Sequence, residues 1–317
     1  MLAAIPITPW YWAAFLAGIG ISLGLDLGVF HRRARVVSFK EALGWTTAWF
    51  ALAMVFAGAL APLRGREPAV QFLTGYLIEL SLSMDNVFVI ALIFAHFGVP
   101  AAYQHRILFW GILGALVMRG VLIGGGVALI AWLHWVLYLL GGLLVLSGFK
   151  MMVVEHEVDP AKNRVVRLAR RLYPVAPAFD GQKLTTIWQG RRALTPLALA
   201  LLMVETADLV FALDSLPAIF AVTQDAFIIF TSNVFAIVGL RSLYFVLAGA
   251  IGYFRYLKIG LAIVLIFIGA KMLARIWAFD LPTLASLLVV VGIILIAILV
   301  SVLAAKREAH EKIPSAN

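Results

Sequence analysis

The sequence contains no cysteine. That removes disulfides, thiolate metal sites and cysteine nucleophiles together. Charge is scarce as well: 13% of the residues are Asp, Glu, Lys or Arg, against 63% hydrophobic. That balance excludes an ordinary soluble domain. Acidic residues are the scarcer sign, 16 against 25 basic, for a formal net charge of +9. A basic chain raises nucleic acid as a partner. Here, however, the Lys and Arg residues sit mainly in short connections between apolar runs, on alternate sides, which is the positive-inside pattern of a membrane protein. Nucleic acid is set aside on that ground, and the bilayer is the expected partner. No basic segment precedes the first apolar run, so the reading has no cleaved leader. No nucleophile motif and no paired histidine–acid metal motif accompanies the carboxylates, so no enzymatic activity is expected.

The mean hydropathy of +1.02 belongs to a polytopic helical membrane protein. A spanning helix needs ~20 apolar residues. Nine segments qualify, at about 10–30, 41–61, 70–97, 104–131, 134–153, 194–222, 226–252, 257–278 and 283–304. The fold class read from them is all-α, with residues 1–305 as one transmembrane bundle and 306–317 as a tail. His31, Arg32, Arg33, Arg35 and Lys40 occupy the first connection, and eight Lys and Arg residues occupy a long connector at 154–193. Arg106, Arg255, Lys258 and the tail Lys306, Arg307 and Lys312 fall on that same side, whereas the other side has Arg64, Arg66, Asp225 and Asp280. The N-terminus is therefore expected outside, with the 154–193 connector and the C-terminus in the cytoplasm. Within the connector, Lys162–Leu172 has the pattern of a short amphipathic helix on anionic lipid. A plain solvated connector is the alternative, and the stronger of the two.

Against this background the carboxylates inside the apolar runs stand out. Glu79-Leu-Ser-Leu-Ser-Met-Asp85-Asn86 in the third run is matched by Asp208-Leu-Val-Phe-Ala-Leu-Asp214-Ser215 in the sixth. With Glu205, five acids lie in hydrocarbon, a cost of about 12–17 kcal/mol at ~2.5–3.5 kcal/mol each on the insertion scale. The matching continues. A mid-span arginine follows each acidic run, Arg119 and Arg241, and then a helix ending Ser-Gly148-Phe-Lys150-Met151 or Ile-Gly269-Ala-Lys271-Met272. Three landmarks in one order imply a duplicated three-helix unit, spans 3–5 and 6–8. An odd number of spans inverts the second copy, giving inverted repeats with a site at the midplane.

In that arrangement the two octapeptides run antiparallel, with Glu79 and Asp208 at similar depth, Asp85 nearer the cytoplasm and Asp214 nearer the outside. Glu205 and Asp208, three apart, share a helix face. Residues six apart are ~120° off on a continuous helix, so both can face one path only if the helix kinks or the path winds. Pro217, which cannot donate to the Leu213 carbonyl, offers a reason for a kink beside Asp214. The candidate donors are all oxygen: the acids, the Asn86 amide and the Ser81, Ser83 and Ser215 hydroxyls. The histidines lie in loops or at span ends. Such a set suits Mn²⁺, Ca²⁺ or Mg²⁺ better than Cu or Zn. Met84 and Met203 could add a thioether favouring Mn²⁺, although filling packing gaps is the commoner use of such residues. Arg119 and Arg241 serve either as counter-ions of an empty carrier or as static helix–helix ion pairs, and Asn233 as a further polar contact. Two arginines against five acids leave a carboxylate surplus that favours binding a cation or protons.

These motifs resemble the TerC family of integral membrane proteins, including its Alx-type members. The resemblance rests on Asp26-Leu-Gly-Val-Phe-His31-Arg32-Arg33, on both acidic segments, the second continuing to Pro217-Ala, and on Asn233-Val-Phe-Ala-Ile-Val-Gly-Leu-Arg241-Ser-Leu-Tyr-Phe. It covers roughly residues 10–305. It implies a bacterial cytoplasmic-membrane protein of a family linked to tellurium resistance, several members of which look like manganese exporters. On that resemblance Glu79, Asp85, Asn86, Glu205, Asp208 and Asp214 contact the metal. Ser83, Ser215, Arg119, Arg241 and Asn233 support or neutralise them. The expectation is export of a divalent cation, Mn²⁺ first, in exchange for protons, with no prosthetic group and no protein partner assigned. The competing expectation is a non-transport membrane component of a tellurite- or stress-resistance complex, with the 154–193 connector as its docking surface.

Overall fold

The structure, a computed structural model, describes residues 9–25, 37–153, 163–247, 257–277, 279 and 281–311. Readings that involve Asp26, His31–Arg35, Lys162, Arg255, Asp280 and Lys312 lie outside the described residues. The chain forms α1 (Pro9–Leu25), α2 (Phe39–Arg64), α3 (Arg66–Phe97), α4 (Ala101–Trp132), α5 (Val136–Val153) and α6 (Arg164–Leu172). After a hairpin, β1 (Thr185–Trp188) and β2 (Arg191–Leu194), come α7 (Pro196–Phe220), α8 (Ala226–Leu247), α9 (Leu257–Ala274) and α10 (Thr283–Glu311). Eight helices among the described residues are long and apolar enough to cross a membrane: α2–α5 and α7–α10. The first candidate span coincides with α1, of which 17 residues are described. The protein is an all-α polytopic membrane protein, with one small hairpin added.

Local signals set the helix boundaries. Gly65, at φ 102°, is the single residue between α2 and α3, a conformation that glycine alone adopts freely. Gly98 closes α3 in the left-handed conformation, and the next amide, that of Val99, reaches back to the Phe94 carbonyl at 2.9 Å. Thr195 caps α7 through its Oγ1, with Pro196 in the first turn, where a missing N–H costs nothing.

α3 and α8 form the centre of the bundle, and α2 and α10 its rim, so that the spans expose apolar surface in the order expected of lipid contact. Contacts fix which helix ends lie together. Arg64 at the end of α2 pairs with Asp225, which precedes α8, at 2.8 Å. Thr283 at the start of α10 donates to Glu67 in the first turn of α3 at 2.5 Å. Trp12 near the start of α1 packs edge-on to Phe227 at the start of α8. Trp10, Trp132, Trp135 and Trp277, all strongly exposed, sit at helix ends that the sequence reading assigns to one side, as an interfacial aromatic belt does.

α5 and α9 pack closely through glycine. A Cβ on Gly269 would lie 2.6 Å from the Gly141 carbonyl oxygen, and one on Gly148 would lie 2.8 Å from that of Ala262. Gly141 and Ala262 are 121 positions apart, as are Gly148 and Gly269. Each close contact therefore maps onto the other when the two helices are exchanged. Because α5 advances from 141 to 148 while α9 retreats from 269 to 262, the pair is antiparallel.

The connector contains structure the sequence reading did not foresee. Gln189 and Gly190, both with positive φ, make the two-residue turn of a hairpin in which Trp188 pairs with Arg191. Thr195 ties the hairpin to α7 by donating to the Lys183 and Leu184 carbonyls. Asp180 accepts from Thr186 and Lys183, which hold its carboxyl below the ordinary value. α6 docks on the first turns of α7 by burying Val166 among Leu197, Leu199, Ala200 and Met203.

Candidate functional site

Arg119 of α4 is buried in the middle of the bundle. Its Nη1 donates to Glu79 Oε1 of α3 and, at 2.9 Å, to Asn233 Oδ1 of α8, and its Nη2 donates to Asp208 Oδ1 of α7 at 3.1 Å. Four helices thus converge on one guanidinium, whose planar fork can hold two carboxylates at once. Glu79 and Asp208, expected at similar depth, meet on this residue. One cation for two anions leaves the cluster with an excess negative charge.

A cavity of about 410 Å³ lies beside the cluster. Glu79, Asp85, Asn86, Asp214 and Ser215 all line it. Ser147 of α5 donates to Asp214 Oδ1 across it at 3.0 Å. The buried atoms Glu79 Oε2 and Ser215 Oγ have no hydrogen-bond partner among the described residues. Orphaned buried oxygens on a cavity wall call for water or a cation. Glu79 and Asp85 reach one cavity although α3 is unbroken between them, so the path winds around α3. Likewise α7 continues as helix through Pro217.

Other predicted residues separate from this group. The carboxyl of Glu205 lies directly against Gly114 of α4, where a side chain would collide with it, and Glu205 is not on the cavity wall. The glycine makes room for the carboxyl on a neighbouring helix. Arg241 borders a second, small cavity of about 30 Å³ together with Asn86 and Asp208. Ser83 is buried away from both cavities. Met84 packs into the apolar core, whereas Met203 lines the cavity with its Sδ accepting from Asn163 Nδ2 at 3.1 Å.

The sequence reading missed Ser147, Lys150, Asn163 and Thr206, all on the cavity wall. Ser147 and Lys150 flank Gly148, inside a landmark read only as a sign of duplication. Lys271, the counterpart of Lys150, is buried and donates to Ser286 of α10 at 2.7 Å. The two lysines sit differently: Lys150 borders the cavity, and Lys271 fastens α9 to α10. Among the described residues no three His, Cys, Asp or Glu side chains converge as a ready metal-ligand set. The cavity wall carries the carboxyls of Glu79, Asp85 and Asp214, the ammonium of Lys150, and neutral hydroxyl and amide oxygens.

The family model "Integral membrane protein TerC family" matches residues 64–309. An "Uncharacterized membrane protein STKORF319" of Myxococcus xanthus is 52% identical over 297 residues, 93% of each chain. The "Putative membrane-bound redox modulator Alx" of Escherichia coli strain K12 is 42% identical over 304 residues, 93% of this chain and 94% of that one. A Rickettsia felis "Uncharacterized membrane protein" is 39% identical over 294 residues, 92% and 97% of the two chains. No solved structure matches.

Proposed function

This chain belongs to the TerC family of integral membrane proteins, and on that premise we propose that it exports a divalent cation, Mn²⁺ first, across the bacterial cytoplasmic membrane in exchange for protons. The observation that carries the reading is one cavity between apolar helices lined by Asp85, Asp214 and Glu79, the last with an orphaned oxygen. Buried acids in a membrane are costly and persist where they bind something. The donors are oxygens, with the thioethers of Met151 and Met203 on the same wall, a set suited to Mn²⁺ and poorly suited to Zn or Cu. Two carboxylates with neutral oxygens make a site weak enough to release its ion, as transport requires.

Arg119 supplies the empty state. With no cargo its guanidinium pairs with both Glu79 and Asp208 and offsets one of their two charges, which lowers the cost of reorienting the bundle. Arrival of a divalent cation at Glu79 Oε2 competes with the single charge of Arg119 for the same carboxylates. Asp85 receives the ion from the cytoplasmic side and Asp214 hands it outward. The antiparallel exchange of contacts between α5 and α9 supports inverted repeats as the rocking units. Glu205, turned toward α4, is assigned to protons and not to the metal.

The name of the Escherichia coli relative raises redox modulation as a second reading. Thiol–disulfide exchange is unavailable to a chain without cysteine. Expression in metal-sensitive cells tests the proposal: the parent protein protects them from manganese, and Asp85→Asn and Asp208→Asn do not. Full protection by both variants would remove the transport reading. Deleting the connector separates transport from docking, because a transporter keeps residual flux and a docking component loses its phenotype.

A further inference from the structure

α6 carries an apolar stripe that is only half used. Val165, Val166, Leu168, Ala169 and Leu172 fall on one side of the helix at ~100° per residue, and Arg164, Arg167, Arg170 and Arg171 on the other. One edge of the stripe is spent on the bundle: Val166 is 1% exposed and Ala169 packs against the same cluster. The other edge is uncovered, with Val165, Leu168 and Leu172 at 43%, 55% and 66% exposure. All four arginines are exposed.

Where this edge lies decides what covers it. Val166 is buried in the apolar cluster that includes Leu197, Leu199 and Ala200, near the start of α7, a helix long and apolar enough to span the bilayer. α6 is therefore held against the N-terminal part of α7, at the level where that span begins. A basic face and an apolar edge at that level match the anionic headgroups and the first acyl carbons of the adjacent leaflet.

We propose that α6 is an interfacial helix that docks on anionic lipid, and that this docking holds the rim of the cavity. Leu168 and Leu172 insert below the headgroups while Arg164, Arg167, Arg170 and Arg171 bind their phosphates. The link to the cavity is Asn163, which caps α6 by accepting from the Val165 and Val166 amides and donates through Nδ2 to Met203 on the cavity wall. Lipid composition is thereby connected to the cavity wall through Asn163 and Met203.

The absence of cysteine makes the test direct, because Leu168→Cys introduces the only thiol for an environment-sensitive fluorophore. The full-length labelled protein is reconstituted in liposomes of phosphatidylcholine alone and of phosphatidylcholine with phosphatidylglycerol. The probes are acrylamide as the aqueous quencher and shallow doxyl-labelled lipid as the membrane quencher. With phosphatidylglycerol the emission shifts to the blue, acrylamide quenching is lost and doxyl quenching is gained. High salt, or Arg→Gln at all four arginines, reverses each change. A Trp132→Cys label at the other end of the bundle is unaffected by these arginine changes and reports that the variant is folded. Identical emission and acrylamide quenching in both lipid mixtures would overturn the proposal and favour a soluble protein as the occupant of that edge. The readout needs no metal, so its failure and a failure of cation transport are distinguishable.

Discussion

Glu79 of α3 and Asp208 of α7, 129 positions apart in the chain, are held by one residue, Arg119 of α4. The two acids begin the two matched octapeptides, and the guanidinium brings both acids together. It also separates the two acids that Arg119 holds from Asp85 and Asp214, which line the cavity.

Removing the guanidinium strands two buried anions. Arg119→Met is expected to cost about 3–5 kcal/mol, the penalty for breaking a buried ion pair from one side. Arg119→Lys keeps the charge but not the fork, and falls between. The Glu79→Gln/Arg119→Met double variant recovers part of the loss, since one stranded charge is gone. Thermal unfolding in detergent checks the ranking; an Arg119→Met protein as stable as the parent would contradict the cluster.

Ser147 orients Asp214 across the cavity by one hydrogen bond. Ser147→Ala is expected to weaken apparent cation affinity by roughly five-fold, equivalent to about 1 kcal/mol for one such bond, with little effect on the maximal rate. The concentration dependence of flux separates the two quantities. Unchanged affinity would mean that Asp214 does not need Ser147.

Close packing between α5 and α9 leaves no room at Gly269. A Gly269→Val change drives a side chain into the Gly141 carbonyl and is expected to cost at least about 1–3 kcal/mol. Gly142→Ala, where nothing lies within 4 Å, stays within about 0.5 kcal/mol of the parent. Melting temperatures of the two variants in the same detergent give the comparison.

Much of this site could be read from the chain. The octapeptide match and the alternation of spans sufficed to bring Glu79 and Asp208 together. They do not tell Arg119 from Arg241, because both lie mid-span and follow an acidic run at similar spacing; the packing of α4 against α7 and α8 distinguishes them. Glu205 was grouped with Asp208 because residues three apart share a face. Three positions still leave ~60° between side chains, and a glycine on α4 captures one of them. Such a gap on a neighbouring helix leaves no trace in the spacing of α7 itself. The hairpin is harder to read: Gly190 suits its turn, but Gln189, at φ 50°, is not one of the residues that signal a two-residue turn.

Asn163 both caps α6 and touches the cavity wall. Asn163→Ala is expected to lose about 1 kcal/mol of capping energy. Amide hydrogen exchange over residues 164–172 should accelerate by roughly five-fold in consequence. Exchange unchanged over that helix would show that its docking through Val166, not its cap, sets its stability.

Asp85, Asp214 and Glu79 are proposed to form a transported-cation site. Metal uptake into proteoliposomes tests it most directly, using the purified full chain, Mn²⁺, Ca²⁺ and Mg²⁺ in parallel, and an imposed pH gradient. The account predicts Mn²⁺ flux that rises with the gradient, exceeds that of Ca²⁺ and Mg²⁺, and is abolished by Asp85→Asn and by Asp214→Asn in proteins that still fold. Metal flux equal to that of protein-free liposomes, or flux that both variants retain in full, would contradict it.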